Sequence, residues 1–409
     1  MLNICETIFM KWYFFGKDNG NPRINEHLMI YILSLLDPIS QFKASLVNHT
    51  WKEMVDLTHK YMNLLPTIHR IPLLSKVGLD VLRFKLLSGG MTNTVYRVQI
   101  GPNTPKLLAK IPGINPDLIE RSQFKRWVLR IPGEVSSFSI SREHEAENAR
   151  KASVLGLNVP IKHFDPDGLQ LMEYIENAHD LDKETLQRID ILNTLASMAK
   201  KLHTSEPFDN DTAVFERNEQ LLERLKSKSF VVPEETDFIA EQMIALKNLF
   251  SSYHIEMSPC HNDSTPLNYM MAVSGPKKEK VFYQIDWEYS SNNDFMWDLV
   301  YFAIEAKLSK EQELTFLKAY FGEEELTESI LAWFTVYKPV VEWWITLWSW
   351  TQLANKAKSV SEEEYAKLGT ERFAKTLQHL QSDDYRNALD IINADKLLPS
   401  FNGHRSFTI

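Results

Sequence analysis

Apolar residues Leu28, Ile32, Leu33 and Leu36 recur at helical spacing until the pair Asp37-Pro38 stops the run. A second apolar stretch follows at Phe42, Leu46 and Val47, and a third at Trp51, Met54 and Val55. The pattern over 24–57 predicts three short helices. A bundle of about 40 residues is marginal alone and gains from packing on a partner. After Pro66 and Pro72 the periodicity changes. The segment "FKLLSGGMTNTVYRVQI" (84–100) predicts strand, tight glycine turn, strand. Further strand-like runs are "PKLLAKIPG" (105–113) and "RWVLRIPG" (126–133).

"SREHEAENARKASVLG" (141–156) predicts a helix, with Ser141 as cap, glutamates in its first turns and Gly156 at its end. "LQLMEYIENA" (169–178) predicts a strand entering a hinge. Beyond it helical patterns dominate, interrupted by the polar windows "PCHNDSTPLNYM" (259–270) and "VFYQIDWEYSSNNDFMWDL" (281–299). A sheet-rich part followed by a helix-rich part is α+β order. The expected organisation is an N-terminal extension (1–23), a helical module (24–66), a connector (67–80), a sheet-rich lobe (81–172) and a helical lobe (173–409).

Composition narrows the function classes. The formal net charge of −9 argues against nucleic acid as partner. Only two cysteines, Cys5 and Cys260, occur, so neither a disulfide framework nor a cysteine zinc site is expected, and a reducing compartment fits. The opening stretch is broken by Glu6, Lys11 and Lys17, so no secretory signal is expected. The most membrane-like run, "WWITLWSWTQLAN", has 13 uncharged residues between Glu342 and Lys356, against the roughly 20 that a spanning helix needs. A soluble protein is expected.

"ILSLLDP" (32–38), "ASLVN" (44–48) and Trp51 have the order and spacing of an F-box, which this module resembles; the usual "LP" opening is replaced by "IN" at 24–25. The resemblance implies docking on the Skp-type adaptor of a cullin ubiquitin ligase, with Leu28, Ile32, Leu36, Pro38 and Leu46 as candidate contacts.

The second unit carries the elements of phosphoryl transfer, which needs positioning and charge neutralisation more than covalent help. Gly89 and Gly90 in "SGGMTN" lack Cβ atoms and let backbone N–H groups approach phosphates. A cation followed by a helix glutamate forms an ion pair that orients them. Asp263 can orient an acceptor hydroxyl and take its proton, while Asn268 and Asp286 offer hard oxygens to magnesium. Each signal alone is weak. The conjunction of "HND" with asparagine five residues after the aspartate, and "IDWEY" beyond, is strong.

In "GGMTN", "RIPG", "GLQLMEYIENA", "CHND…N" and "IDWEY…WDL" the chain resembles the choline/ethanolamine kinase family, its bacterial choline-kinase branch above all, over about 85–380. The resemblance implies a bilobal protein-kinase-like fold and an ATP- and Mg2+-dependent phosphotransferase acting on choline or a related amino alcohol. Asp263 then corresponds to the catalytic base, Asn268 and Asp286 to the metal ligands, His261 and Asp298 to supports of the loop. Gly89, Gly90, Thr92 and Asn93 would meet the phosphates, and the backbone at Glu173 and Ile175 the adenine. Two strands end in cation-bearing "IPG": Lys110 lies 20 residues after Gly90, Arg130 lies 15 before Glu145, and Arg130 is favoured as Glu145's partner. Glu288, Glu305, Trp344 and Trp348 are candidates for the acceptor's cationic headgroup, by charge and by cation–π attraction, with Trp343 and Trp350 assigned to the core. An F-box beside such a kinase suggests a bacterial effector acting in a host cytosol. The alternative is an adaptor whose kinase-like domain only binds a ubiquitination target.

Overall fold

The structure is a computed structural model that describes residues 26–87, 93–100, 108–109, 111–114, 126–132, 140–253, 255–274, 279–357 and 360–394. The chain divides into two compact units, Met1–Ser88 with Val95–Leu129, and Gly89–Thr94 with Arg130–Ile409.

In the first unit α1 (Glu26–Ser34), α2 (Pro38–Ser45) and α3 (His49–Ile68) form the helical module. Asp37 caps α2: its Oδ1 accepts from the N–H groups of Ile39 and Ser40, both at 3.0 Å, and Pro38 takes the first helical position. Asn48 caps α3 by accepting from the Trp51 N–H at 3.0 Å. Met29, Leu33, Ala44 and Val55 form the core, with Leu36, Trp51 and Met54 packed against it. Buried Gln41 ties the three helices together, donating to the Leu33 carbonyl at 2.9 Å and meeting the His59 ring at 2.6 Å.

The connector expected at 67–80 is packed in its described residues. Pro66 lies inside α3, and the following residues bury Ile71, Leu74 and Val77 completely. A proline in the last turn removes one intrahelical hydrogen bond without stopping the helix. The C-terminal half of α3 packs on the hairpin of β1 (Leu82–Leu86) and β2 (Asn93–Ile100), paired antiparallel with Leu82 opposite Ile100. Tyr61 donates its hydroxyl to the Phe84 carbonyl at 3.2 Å and meets the Phe84 ring in a tilted contact, centroids 5.0 Å apart. Phe84 in turn meets Tyr96 edge-on. The strand expected at 105–113 is not one in its described part: Leu108 and Ala109 form a helical turn with Leu108 fully buried, and Ile111–Ile114 is a turn. Gly113, at a φ of 68°, sets that turn. β3 (Arg126–Pro132) carries the chain across the division.

In the second unit α4 (Arg142–Val154) starts at Ser141, whose hydroxyl accepts from the His144 N–H. β4 (Ile161–Phe164) and β5 (Gln170–Glu173) pair antiparallel around Gly168, at a φ of 95°. After the short β6 (His179–Asp180) come α5 (Lys183–Leu186), α6 (Ile189–His203), α7 (Val214–Ser227) and α8 (Thr236–Ser251). Two antiparallel pairs then frame the polar windows. β7 (Ser258–Cys260) pairs with β10 (Ser291–Asn293), and β8 (Tyr269–Ser274) with β9 (Glu279–Gln284). The C-terminal part is helical: α9 (Met296–Glu305), α10 (Lys310–Phe321), α11 (Glu328–Ala354), α12 (Glu362–Leu380) and α13 (Asp383–Ala394). α11 is the central post, burying Trp333, Trp343, Trp344 and Trp350. Among the described residues no helix is long and apolar enough to cross a membrane.

Candidate active site

β7 delivers the chain into the loop 261–265, a 3-10 turn at Pro266–Asn268 follows, and β8 leads away. Pairing of β8 with β9 returns the chain beside that loop, where the Ile285 N–H donates to the Asn268 carbonyl at 2.8 Å. The strand pairing therefore brings Asp263, Asn268 and Asp286 together from positions well apart in sequence. The Asn268 side-chain amide donates to the Asp263 carbonyl at 2.9 Å and to Asp263 Oδ2 at 3.0 Å. Tyr301 also hydrogen-bonds Asp263. Burial, and then the charge of Asp286, push the Asp263 carboxyl up to about 7, against the pull of the Tyr301 and Asn268 hydrogen bonds.

Asp298, at the start of α9, braces this loop. Its two oxygens accept from the backbone N–H groups of His261 and Asn262, each at 2.7 Å, and from the His203 ring at 3.2 Å. Burial alone would raise Asp298, but His203 and His261 hold it below the usual carboxylate range. The loop needs this clamp because Asn262 sits at a φ of 64°, a left-handed conformation uncommon for a non-glycine residue. His261 is fully buried, and burial lowers its pKa, so the ring is neutral. Its Nδ1 accepts from the Asp263 N–H at 3.3 Å, and Nε2 donates to the Ile285 carbonyl at 2.9 Å, which fixes the tautomer. Both ring nitrogens are spent on holding the loop.

Arg130, at the end of β3, is buried with Glu145 of α4. It bonds Glu145 Oε1, meets Glu288 Oε2 at 3.0 Å and approaches Asp286 Oδ1 to 3.4 Å. Arg142 adds a second cation, 2.6 Å from Glu145 Oε2 and 3.2 Å from Glu288 Oε2. Burial opposes the charge on Arg130, but Asp286, Glu145 and Glu288 together raise its pKa. Glu288 is raised to about 7 by burial and by Asp286, against Arg130 and Arg142. This corrects the expectation for Glu288. Its carboxylate is held between two arginines, not open to an acceptor's headgroup. Removing Arg130 would leave buried carboxylates short of a partner, so Arg130→Ala should destabilise the fold by about 3–5 kcal/mol, read by denaturant melting. Arg130→Lys should restore part of it; full stability of Arg130→Ala would show that Arg142 alone neutralises the pair.

The glutamates and Asp286 form a donor set of hard oxygens, with one atom from each of Glu145, Asp286 and Glu288 within 4.8 Å of one another. Asp286 sits in the left-handed region, at a φ of 65° and ψ of 63°. Its Oδ1 is buried and, although within ion-pair distance of Arg130, has no partner of hydrogen-bond geometry among the described residues. The orphaned oxygen of Asp286 suits a divalent cation such as Mg2+, while Glu145 and Glu288 are spent on Arg130 and Arg142.

The aromatic residues divide. Trp348 is partly buried, donates its indole N–H to the Tyr289 hydroxyl at 3.0 Å and meets Tyr365 edge-on at 5.9 Å. Trp344 is only 3% exposed, and its face is covered by Arg217, whose Cζ lies 3.6 Å from the ring centroid. That contact removes Trp344 from the expected cationic pocket. Glu305 is likewise engaged, 2.5 Å from Arg372, which also reaches Glu342 at 3.1 Å. Trp343 and Trp350 are core residues in edge-to-face contact. Glu173 ends β5, its side chain 2.8 Å from Lys162 and its N–H bonded to the Pro160 carbonyl. Ile175 follows, its carbonyl accepting from the Ala178 N–H. Asn93 opens β2, whereas Gly89, Gly90, Thr92 and Lys110 lie outside the described residues.

Sequence reasoning missed Arg142, Tyr289 and Tyr365. Tyr289 stands inside the "IDWEY" motif and was legible there; Arg142 and Tyr365 are single residues on amphipathic helices, with no local signal.

Comparison with known proteins agrees with this architecture. The profile of choline/ethanolamine kinases matches residues 84–377, and that of the F-box domain residues 22–63. Protein LicA of Haemophilus influenzae is 34% identical over 202 residues, covering 48% of this chain and 73% of that protein. A choline/ethanolamine kinase family protein from Mesorhizobium loti superposes with a TM-score of 0.63 at 23% identity, covering 81% of this chain and 98% of that one. Choline kinase LicA from Streptococcus pneumoniae does so at 0.58 and 22%, covering 79% and 99%. At such identities the structures show a shared kinase-like fold. The profile match extends over the loops that carry Asp263, Asn268 and Asp286, so this chain, with an F-box domain at its N-terminal end, belongs to the choline/ethanolamine kinase family.

Proposed function

We propose that the protein transfers the γ-phosphoryl group of ATP to the hydroxyl of choline or a related amino alcohol. The observation that carries this reading is the Asp263–Asn268 hydrogen bond, set beside the orphaned oxygen of Asp286. Asp263 would orient the acceptor hydroxyl and take its proton as the phosphoryl group moves. With its amide donated to Asp263, Asn268 turns its Oδ1 away as a ligand atom, and Asp286 supplies the second. When bound, Mg2+ would neutralise charge on the nucleotide phosphates. Arg130, held by Glu145, would meet the phosphates, and the Trp348–Tyr289 wall, backed by buried Tyr365, the acceptor's cationic group. Turnover against a panel of choline, ethanolamine and aminoglycosides tests the reading; ATP left intact with every acceptor would overturn it. Asp286→Ala should weaken nucleotide binding chiefly when Mg2+ is present. Calorimetry with Mg2+ and with EDTA checks this, and an equal loss in both conditions would point to misfolding.

For the N-terminal module we propose docking on a Skp-type adaptor, hence recruitment of a cullin ubiquitin ligase, and for the whole protein a bacterial effector acting in the cytosol of a host. The support is an apolar face that the module's own core leaves uncovered. Ile39, Phe42 and Leu46 are 69%, 63% and 68% exposed, at helical spacing along α2 and its C-terminal end, with Leu35, Leu28 and Pro38 also exposed. Leu36 and Ile32 are only partly exposed, and Leu36 packs on the module's core, so it serves stability rather than contact. Phe42→Ser with Leu46→Ser should abolish co-purification with the adaptor while the melting temperature stays unchanged, since central anchors dominate such interfaces. Retained binding would move the interface elsewhere.

A further inference from the structure

A buried arginine usually faces a carboxylate, because an uncompensated charge out of water is costly. Arg217 of α7 is an exception. Among the described residues its Nε and Nη2 are out of solvent and have no hydrogen-bond partner. Its compensation is aromatic, with Cζ 3.6 Å from the Trp344 centroid and 5.4 Å from that of Trp297. Burial lowers its pKa to about 10, so the group is charged at neutral pH. A rigid fork with idle N–H groups matches the paired oxygens of a carboxylate or phosphate.

Arg217 lines a cavity of about 230 Å3, together with Thr212, Tyr289, Ser290 and Ser291. Two acids share that lining, but neither leaves a net repulsive wall. Glu288 is held by Arg130 and Arg142, and Asp211 Oδ1 accepts from the Asn292 amide at 2.8 Å. Tyr289 belongs both to this cavity and to the aromatic wall, since its hydroxyl accepts from Trp348. Tyr301, the hydrogen-bond partner of Asp263, is close enough to act on the charge of Arg217. The idle guanidinium is thus linked to the proposed base through packed rings, lying over Trp297, whose ring centroid is 6.2 Å from that of Tyr301. Meanwhile the face of Trp344 and the carboxylate of Glu305, which a simple quaternary ammonium would use, are already taken by arginines.

We propose that Arg217 and its cavity form an anion-recognising subsite, so that the phosphoryl acceptor carries a carboxylate or a phosphate in addition to its amino group and hydroxyl. This rests on the phosphotransferase reading and narrows it. The cation goes to the Trp348–Tyr289 side and the anion to Arg217, which selects zwitterionic hydroxy compounds over choline.

Three probes hold the trimethylammonium group constant: choline without an anion, L-carnitine with a carboxylate, and glycerophosphocholine with a phosphate. Wild type should bind one of the two anionic probes at least tenfold more tightly than choline by calorimetry, and the preferred one identifies the anion. Arg217→Gln should remove that preference, and Arg217→Lys, which keeps the charge but loses the fork, should keep part of it. The ratio of kcat/KM values should move in parallel. Equal or tighter binding of choline by wild type, or an equal loss on all probes in a folded Arg217→Gln protein, would overturn the subsite. The binding arm needs no turnover. Absent phosphorylation with retained Arg217-dependent binding would therefore sink the phosphotransferase reading and leave the subsite standing. If Arg217→Gln does not fold, Arg217→Lys alone decides by whether the preference falls.

Discussion

Asp263→Asn should lower phosphoryl transfer by about 100- to 10,000-fold while leaving the fold and nucleotide binding in place. The replacement keeps the size of the side chain, and its amide oxygen can still accept from the Asn268 amide across the loop. The brace beneath is untouched, because Asp298 holds the backbone of His261 and Asn262 and makes no bond to the Asp263 side chain. What is lost is a carboxylate that can take a proton. Single-turnover kinetics at saturating nucleotide, with melting curves matched to wild type, read the effect directly. Wild-type turnover by the mutant would remove Asp263 from the chemistry.

The second large effect is on stability. Asp298→Ala deprives two buried backbone N–H groups and His203 of their acceptor in a single substitution. Unsatisfied buried donors cost about 1–3 kcal/mol each, so a loss of about 3–5 kcal/mol is expected in denaturant unfolding. Asn262 has no reason to remain left-handed once its N–H is released, so activity should fall even where the protein is still folded. The sign with pH follows from the depressed pKa. Stability from Asp298 is fully present above the unfolded carboxylate range and is lost as pH falls through the lower folded value. Wild type should therefore lose stability on acidification in a window that the mutant lacks. A mutant as stable as wild type at neutral pH would mean that the loop is braced from elsewhere.

Local chemistry was the legible part. The cap Ser141, the stop at Asp37-Pro38, the helix 142–154, the hairpin of 82–100 and the three-helix module rest on spacing and turn chemistry that neighbouring residues dictate. Glu145 could be matched to Arg130 by a count along the chain. Pairings between distant segments were not legible. Glu288 lies 158 positions from Arg130, and nothing in "IDWEY" indicates that its second acid meets two arginines. Trp344 and Trp348 read alike as a pair four apart on α11. Only the packing of α7 and α12 separates them, covering one with Arg217 and setting the other against Tyr365. Arg217 itself reads as one more charge on an amphipathic helix. Pro66 falls in a final turn where its ring is tolerated.

The unbroken run of α3 from the capping Asn48 to Ile68 has a consequence for dissecting the protein. An F-box is commonly treated as a cassette that can be cut away or transplanted at a linker. Here a deletion of the module that runs past residue 61 takes Tyr61 with it and uncovers Phe84 of the hairpin, which packs on Tyr96. A truncated kinase that fails would then report an injured scaffold, not a missing ligase partner. The two proposed roles are therefore better separated by surface substitutions than by cutting within α3.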